Sequence, residues 1–261
     1  MSRGDLTEVE WRILRVLLPV ERKPGRRGRG RPPADNRNII NGILWRLRTG
    51  APWRDVPEKY GKWNSVYRRF RRWSACGVWE SVAIALAETM AESGHYEIDS
   101  TTVRAHVSAA GGKGGFINEL LAARGAGSSV KFIVSVMPEA ARSPSTSRPA
   151  KRRTAKATTL IDLPERTPDA LIADKAYDSD AIRSDLKQRG IRAVIPPRSN
   201  RAKTICYNKR LYRQRNCIER ALGHLKINRA IATRYDQLAD SFLGMLYLAT
   251  ARYWIKFVHA A

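Results

Sequence analysis

The chain has 261 residues, with 48 Lys+Arg against 24 Asp+Glu and a formal net charge of +24. Phosphates are neutralised by Lys and Arg with release of counterions, so this excess points to a polyanionic partner, nucleic acid before an anionic membrane surface. Cys76, Cys206 and Cys217 lie far apart without Cys-x-x-Cys spacing, which excludes a zinc site or a disulfide framework and fits free thiols in a reducing cytoplasm.

In chain order, MSRGDLTEVE has no apolar signal-peptide core. LTEVEWRILRVLLP predicts a helix, with Thr7 as N-cap, Glu10 three residues on, and Pro19 as the stop. KPGRRGRGRPPADNR is a Gly/Pro/Arg loop. DNRNIINGILWRLRTG returns to helical spacing and stops at Gly50. APWRDVPEKYG is a turn-rich connector, and KWNSVYRRFRRWSACGVWESVAIALAETM gives one or two more helices. Within it, Trp63, Tyr67, Phe70 and Trp73 alternate with Arg68, Arg69, Arg71 and Arg72. On a helix this turns aromatics inward and arginines outward, as in a phosphate-contacting, helix-turn-helix-like domain. Residues 1–82 hold 19 Lys+Arg and 8 Asp+Glu, a net of +11. Arg26, Arg27, Arg29 and Arg31 of the loop join those four helix arginines as candidate DNA contacts.

Beyond His95 the pattern changes. HYEIDSTTV, DALIADKAYD and IRAVIPPR read as strands, with DSDAIRSDLKQRG and YRQRNCIERALGHLKINRAI as helices. Strands alternating with helices indicate α/β architecture. FLGMLYLATARYWIKFV is only seventeen residues long and carries Arg252 and Lys256, so it reads as a core helix and no membrane partner is expected.

Asp99 follows the stretch Tyr96–Ile98, and Asp174 ends LIAD. Acidic residues at the carboxyl ends of neighbouring strands face one crevice. Glu219, on a later helix, is a third carboxylate. Three carboxylates converging in a basic chain require a counter-charge, and divalent cations supply it: hard oxygen donors suit Mg2+. Two such ions about 3.5–4 Å apart stabilise the attacking and leaving oxygens of a phosphoryl displacement. Arg215, Glu219 and Lys226 share a helix face at offsets of four and seven, so the cations flank the acid where phosphate would lie. Near the second aspartate, Asp178 reads as a helix N-cap.

Tyr212, Arg215, Glu219 and Lys226 form Y-x2-R-x3-E-x6-K. This spacing resembles the signature of bacterial insertion-sequence transposases of the acidic-triad (Asp-Asp-Glu) class. GRPPADNRNIINGILWRLRTGAPWRDVPEKYG and RRFRRWSACGVWE resemble that family's N-terminal DNA-binding region. YEIDSTTVRAH resembles its first-aspartate motif, ADKAYDSDAIR its second, and RNCIERALGHLKINRAIATRYD its glutamate region. The resemblance implies a small helical DNA-binding domain over 1–88 and an RNase H-like catalytic domain, a mixed sheet flanked by helices, over 94–258. It implies Asp99, Asp174 and Glu219 as catalytic metal ligands for two Mg2+ ions (Mn2+ able to substitute), with Tyr212, Arg215 and Lys226 as the supporting motif. It also implies that water freed of a proton at the metals cuts the element end and the released 3′-hydroxyl attacks target DNA. The partners implied are double-stranded DNA, as terminal inverted repeats and target, and a second copy of the chain; the place implied is the bacterial cytoplasm, at the nucleoid.

One segment departs from the family. After Pro138, apolar side chains larger than alanine vanish until Leu160, within the irregular segment 127–159 where the sheet needs two strands. FIVSVM reads as one strand. Codons chosen for Phe132–Arg142 can spell IHCLCDARGRP one base earlier, and continuing to Thr158 can give LAFHLTPGEAADCKSYD, which alternates like two strands around a turn. The segment therefore reads as out of frame, with a damaged central sheet and an impaired enzyme that still binds DNA as the alternative function. Of the rivals, a tyrosine recombinase wants His-x-x-Arg, and none of His95, His106, His224 or His259 has it. A DNA-binding regulator fits residues 1–85 but leaves the carboxylates unexplained, and an RNA binder fits the charge alone.

Overall fold

In the computed structural model, residues 4–19, 34–89, 95–104, 129–137, 143–146, 168–201, 204–236 and 238–258 are described. They fall into two units, one holding residues 1–86, 104–128 and 225–261 and the other 87–103 and 129–224.

The first unit is helical. α1 (Glu8–Leu17) opens with a capping box: Thr7 Oγ1 accepts from Glu10 N–H at 3.2 Å and Glu10 Oε2 accepts from Thr7 N–H at 2.8 Å. α2 (Asn36–Thr49) is capped by Asp35 and buries Ile39, Ile40, Ile43, Leu44 and Leu47. It ends at Gly50, whose φ of 68° lets its N–H donate to Arg46 O at 2.8 Å. Two 3-10 turns, Trp53–Asp55 and Glu58–Tyr60, form the connector. α3 (Trp63–Ala75) buries Val66, Phe70 and Trp73, while Trp63 stays exposed, contrary to the inward placement expected for it. α4 (Val78–Thr89) follows, burying Trp79, Val82 and Leu86.

The C-terminal helix, read from the sequence as a core helix, clusters with the N-terminal helices and packs on α1 and α3. Gly244 of this helix permits the close approach, since a Cβ there would collide with Ser74 Oγ. Tyr247 donates to Glu80 Oε1 at 2.9 Å, and Arg46 holds Asp236 through two bonds of 2.8 and 3.1 Å.

The second unit is built on a sheet of β1 (His95–Arg104), β2 (Ser129–Met137), β3 (Ser143–Thr146), β4 (Ala170–Ala173) and β5 (Arg192–Val194), in the order β3-β2-β1-β4-β5. β4 pairs in parallel with β1 and β5, and β2 pairs antiparallel with β3. All of β4 is buried because both faces are covered. Leu171 and Ala173 pack with Leu186, Ile191 and Ile195, while Ala170 and Ile172 pack with Val194 and Leu211. The period of two follows from strand geometry. α5 (Asp180–Gln188) supplies Leu186 to one face and α6 (Lys209–Tyr212) supplies Leu211 to the other.

Two expectations change. The sheet thought to be damaged has strands in both doubtful places: FIVSVM lies within β2, and Ser143–Thr146 forms β3 with Val136 opposite Pro144. Proline lacks the N–H of a central strand, and β3 stands at the sheet edge, where that is tolerated. The helix expected over 212–231 is interrupted: after α6 come a 3-10 turn (Arg213–Arg215), α7 (Asn216–Ile227) and α8 (Arg229–Ala232). The last helix, α9, spans Ala239–Val258.

Candidate active site

Ile98 of β1 lies opposite Ala173 of β4, so Asp99 and Asp174 come next to each other on adjacent parallel strands. β4 stops at Ala173, but β1 continues to Arg104, so Asp99 sits mid-strand and not at a carboxyl end as expected. Its side chain lies outside the described set. Asp174 is half-buried and caps the 3-10 turn Lys175–Tyr177, its Oδ1 accepting from Lys175 N–H at 2.6 Å.

The turn after Asp174 is clamped by Asp178, whose side chain has no solvent exposure. Asp178 accepts from Arg183 Nε at 2.7 Å, Arg198 N–H at 2.8 Å and Arg201 Nε at 2.9 Å. Burial pushes its carboxyl up, but the Arg198 N–H and the Arg183 and Arg201 guanidinium groups outweigh burial and hold it at about 2. The Arg198 side chain in turn donates to Ala176 O at 2.7 Å and Lys175 O at 3.3 Å. Asp178 is therefore not the expected N-cap: Ser179 caps α5, its Oγ accepting from Ile182 N–H at 3.2 Å. The clamp escaped sequence reading because two of its arginines lie twenty or more residues away.

On α6, Tyr212 packs edge-on against Tyr207, ring centroids 5.5 Å apart, on the β4 face that carries Ala170 and Ile172. Its phenol is raised, first by burial; a hydrogen bond and positive charge from Arg215 oppose this, and the charge of Asp174 adds to it. Tyr212 thus feels both Asp174 and Arg215. Arg215 reaches on to Glu219, Nη1 to Oε1 at 3.2 Å. Arg215 belongs to the 3-10 turn before α7, but the four-residue offset still brings the pair together. Glu219 stands in the first turn of α7, where the helix dipole favours a carboxylate, with its side chain 55% exposed. Lys226, two turns on in the same helix, is exposed. The chain of influence runs Asp174, Tyr212, Arg215, Glu219. Among the described residues no three His, Cys, Asp or Glu side chains cluster at metal-holding range.

Of the candidate DNA contacts, Arg26, Arg27, Arg29 and Arg31 lie outside the described residues. Arg68 and Arg72 are exposed on α3. Arg69 donates to Asn36 Oδ1 and lies 5.2 Å from the Trp73 ring, and Arg71 donates to Ser241 Oγ at 2.8 Å. Those two arginines have packing partners as well as charge. Cys76 and Cys206 are free thiols at the surface. No helix among the described residues is long and apolar enough to cross a membrane.

Residues 171–256, which hold Asp174 and the whole tyrosine–arginine–glutamate–lysine motif, match the family model described as "Transposase DDE domain". The chain is a transposase with a DDE domain. Residues 6–83 match a second model, described as "Putative transposase of IS4/5 family". The chain belongs to the IS4/5 transposase family. Three relatives are similar to it. The "Uncharacterized protein y4sN" of Sinorhizobium fredii is 38% identical over 113 residues, 43% of this chain and 86% of the relative. The "Insertion element IS402 uncharacterized 16.2 kDa protein" of Burkholderia cepacia is 33% identical over 112 residues, 40% of this chain and 76% of the relative. The "Putative transposase for insertion sequence element IS6501" of Brucella ovis is 39% identical over 90 residues, 33% of this chain and 67% of the relative. No solved structure matches the chain.

Proposed function

We propose that this transposase binds the ends of its element and cuts and joins DNA strands by two-metal phosphoryl transfer, with Asp99, Asp174 and Glu219 as ligands. The observation that carries the reading is the β1–β4 register, which sets Asp99 beside Asp174. The strand order β3-β2-β1-β4-β5, with β1, β4 and β5 parallel, supports an RNase H-like core. In this reading residues 1–88 bind DNA and 94–258 form the catalytic domain.

Carboxylate oxygens are the donor type that Mg2+, or Mn2+ in its place, takes. Bound ions would stabilise the attacking and leaving oxygens. The chain supplies the rest. Arg215 fixes the Glu219 carboxylate, and Tyr212 fixes Arg215 while burying its own ring against the sheet. Lys226 and Arg220, both exposed on α7, meet the DNA phosphates beside Glu219. Arg68 and Arg72 of α3 hold the duplex from the helical unit. Water attack frees a 3′-hydroxyl at the element end, and that hydroxyl attacks target DNA, two copies of the chain acting together at the cytoplasmic nucleoid.

The test is cleavage of a plasmid carrying the element's ends, with Mg2+ and with chelator. Wild type is expected to nick only with the metal. D174N and E219Q are expected to lose about a hundredfold or more in rate, because each removes a ligand, while keeping end binding. Equal nicking by E219Q would refute the assignment. The second reading, a copy that only binds DNA, is favoured by the absence of large apolar side chains between Pro138 and Leu160. It expects end binding without metal-dependent nicking in the wild type.

A further inference from the structure

The helical unit holds a cleft of about 480 Å³ that the cleavage mechanism does not use. Trp53 lines it, held by rings on two sides: Tyr67 at 5.4 Å and Phe70 at 5.1 Å between centroids. Trp63, Tyr235 and Leu238 stand at its rim, 36%, 41% and 42% exposed. Six large apolar side chains are exposed among the described residues, and three of them line this one cleft. Such clustering marks a binding surface, whereas scattered exposure does not.

Its charges identify the ligand class. Arg54 lies 5.7 Å from the Trp63 ring, and Arg46 lies 5.1 Å from the Trp53 ring. Asp236 also lines the cleft, but Arg46 neutralises it through two bonds in a nearly buried pair. Arg71 comes close through its bond to Ser241, another lining residue. Arg234, one residue from Tyr235, is buried with its Nε and Nη1 lacking any hydrogen-bond partner, and it lies over the Phe242 ring at 4.8 Å. Flat aromatic faces, with the Arg54 guanidinium over one of them and no ion pair drawn to it from the cleft lining, suit a ligand that is flat and anionic. An unpaired nucleotide is both: its base stacks on aromatic rings and its phosphate meets arginine. A drug-sized cavity of this volume has room for one such group.

We infer that this cleft receives an unpaired nucleotide of the DNA, its base between Trp63 and Tyr235 and its phosphate at Arg54. The inference rests on the reading that the chain binds element ends. A base enters the cleft only after leaving the helix, at a cost of unstacking that falls where the base is already unpaired.

The experiment uses the full chain and two probes: a blunt duplex of the element end, and the same duplex with one unpaired 2-aminopurine nucleotide. The unpaired probe is expected to bind roughly tenfold tighter, with its fluorescence quenched by stacking. Tyr235→Ser and Trp63→Ala are each expected to abolish the preference and the quenching, with blunt-duplex binding unchanged. Tyr235 lies in a loop, so its variant serves if Trp63→Ala fails to fold. Equal binding of both probes by wild type, or a preference surviving both substitutions, overturns the inference and leaves the DNA reading standing. Binding to neither probe overturns both.

Discussion

Replacing Asp178 by Asn removes one negative charge from a site with no solvent exposure and three donors. Its carboxyl is held at about 2 against an ordinary 3.8. The difference corresponds to about 2 kcal/mol favouring the folded, ionised form, since each unit is 1.36 kcal/mol. The sign follows from the lowered value. The stabilisation is complete above pH ~4 to 5, falls as pH drops through the unfolded value of 3.8, and is gone once pH passes below the folded value. Near pH 3 roughly half of it should remain. Asp178→Ala goes further: the Arg183 guanidinium, 14% exposed, loses its carboxylate, and Arg201 keeps only the exposed Asp180. That should cost about 3–5 kcal/mol. The assay is urea unfolding of wild type and D178N across about pH 7 to 3. A gap of about 2 kcal/mol at neutrality that narrows toward acid is expected. A gap that stays constant with pH, or one below about 0.5 kcal/mol throughout, would refute the account of the clamp.

Four further outcomes are expected. Thr7→Ala removes one half of the α1 capping box and should lower stability by about 1 kcal/mol in thermal melts. Gly244→Ala drives a methyl into Ser74, with Trp79 Cδ1 only 3.2 Å away, and should cost about 1–3 kcal/mol; a neutral result would mean that α9 and α3 do not approach so closely. Tyr212→Phe keeps the packed ring but removes the hydroxyl that accepts from Arg215. It should slow nicking with little change in melting temperature, and Arg215→Ala should slow it more because Glu219 loses its partner. Finally, sequencing the gene across codons 127–160 should show IHCLCDARGRP and its continuation in the adjacent frame; if no frame contains them, the segment is a true insert.

Local chemistry made much of this protein legible in one dimension. Thr7 with Glu10, and Gly50 after its apolar turns, mark helix ends because capping groups lie within four residues of the bonds they satisfy. The four apolar residues of β4 announce a strand covered on both faces. The spacing of Tyr212, Arg215 and Glu219 places three groups within one or two turns, so the motif survives even though the helix breaks at Arg213–Arg215. The order of these pieces along the chain is itself a resemblance to the transposase family.

What lay hidden depends on partners far apart in the chain. Arg46 and Asp236 pair across 190 residues, and Arg71 and Ser241 across 170. No periodicity carries that information, so the neighbours of α9 stayed open and Arg71 was placed toward solvent. Asp178 looked like a cap because only Arg183 lies near it in sequence, while Arg198 and Arg201 arrive through the fold. The aromatic cleft was hidden for the same reason, since its lining joins the connector after α2 and the start of α3 to the loop before α9. Residue order alone tells which groups the chain carries and which neighbours they meet within a turn; folding decides which distant groups meet, and such meetings set both the acidity of Asp178, through the donors that outweigh its burial, and the lining of the cleft.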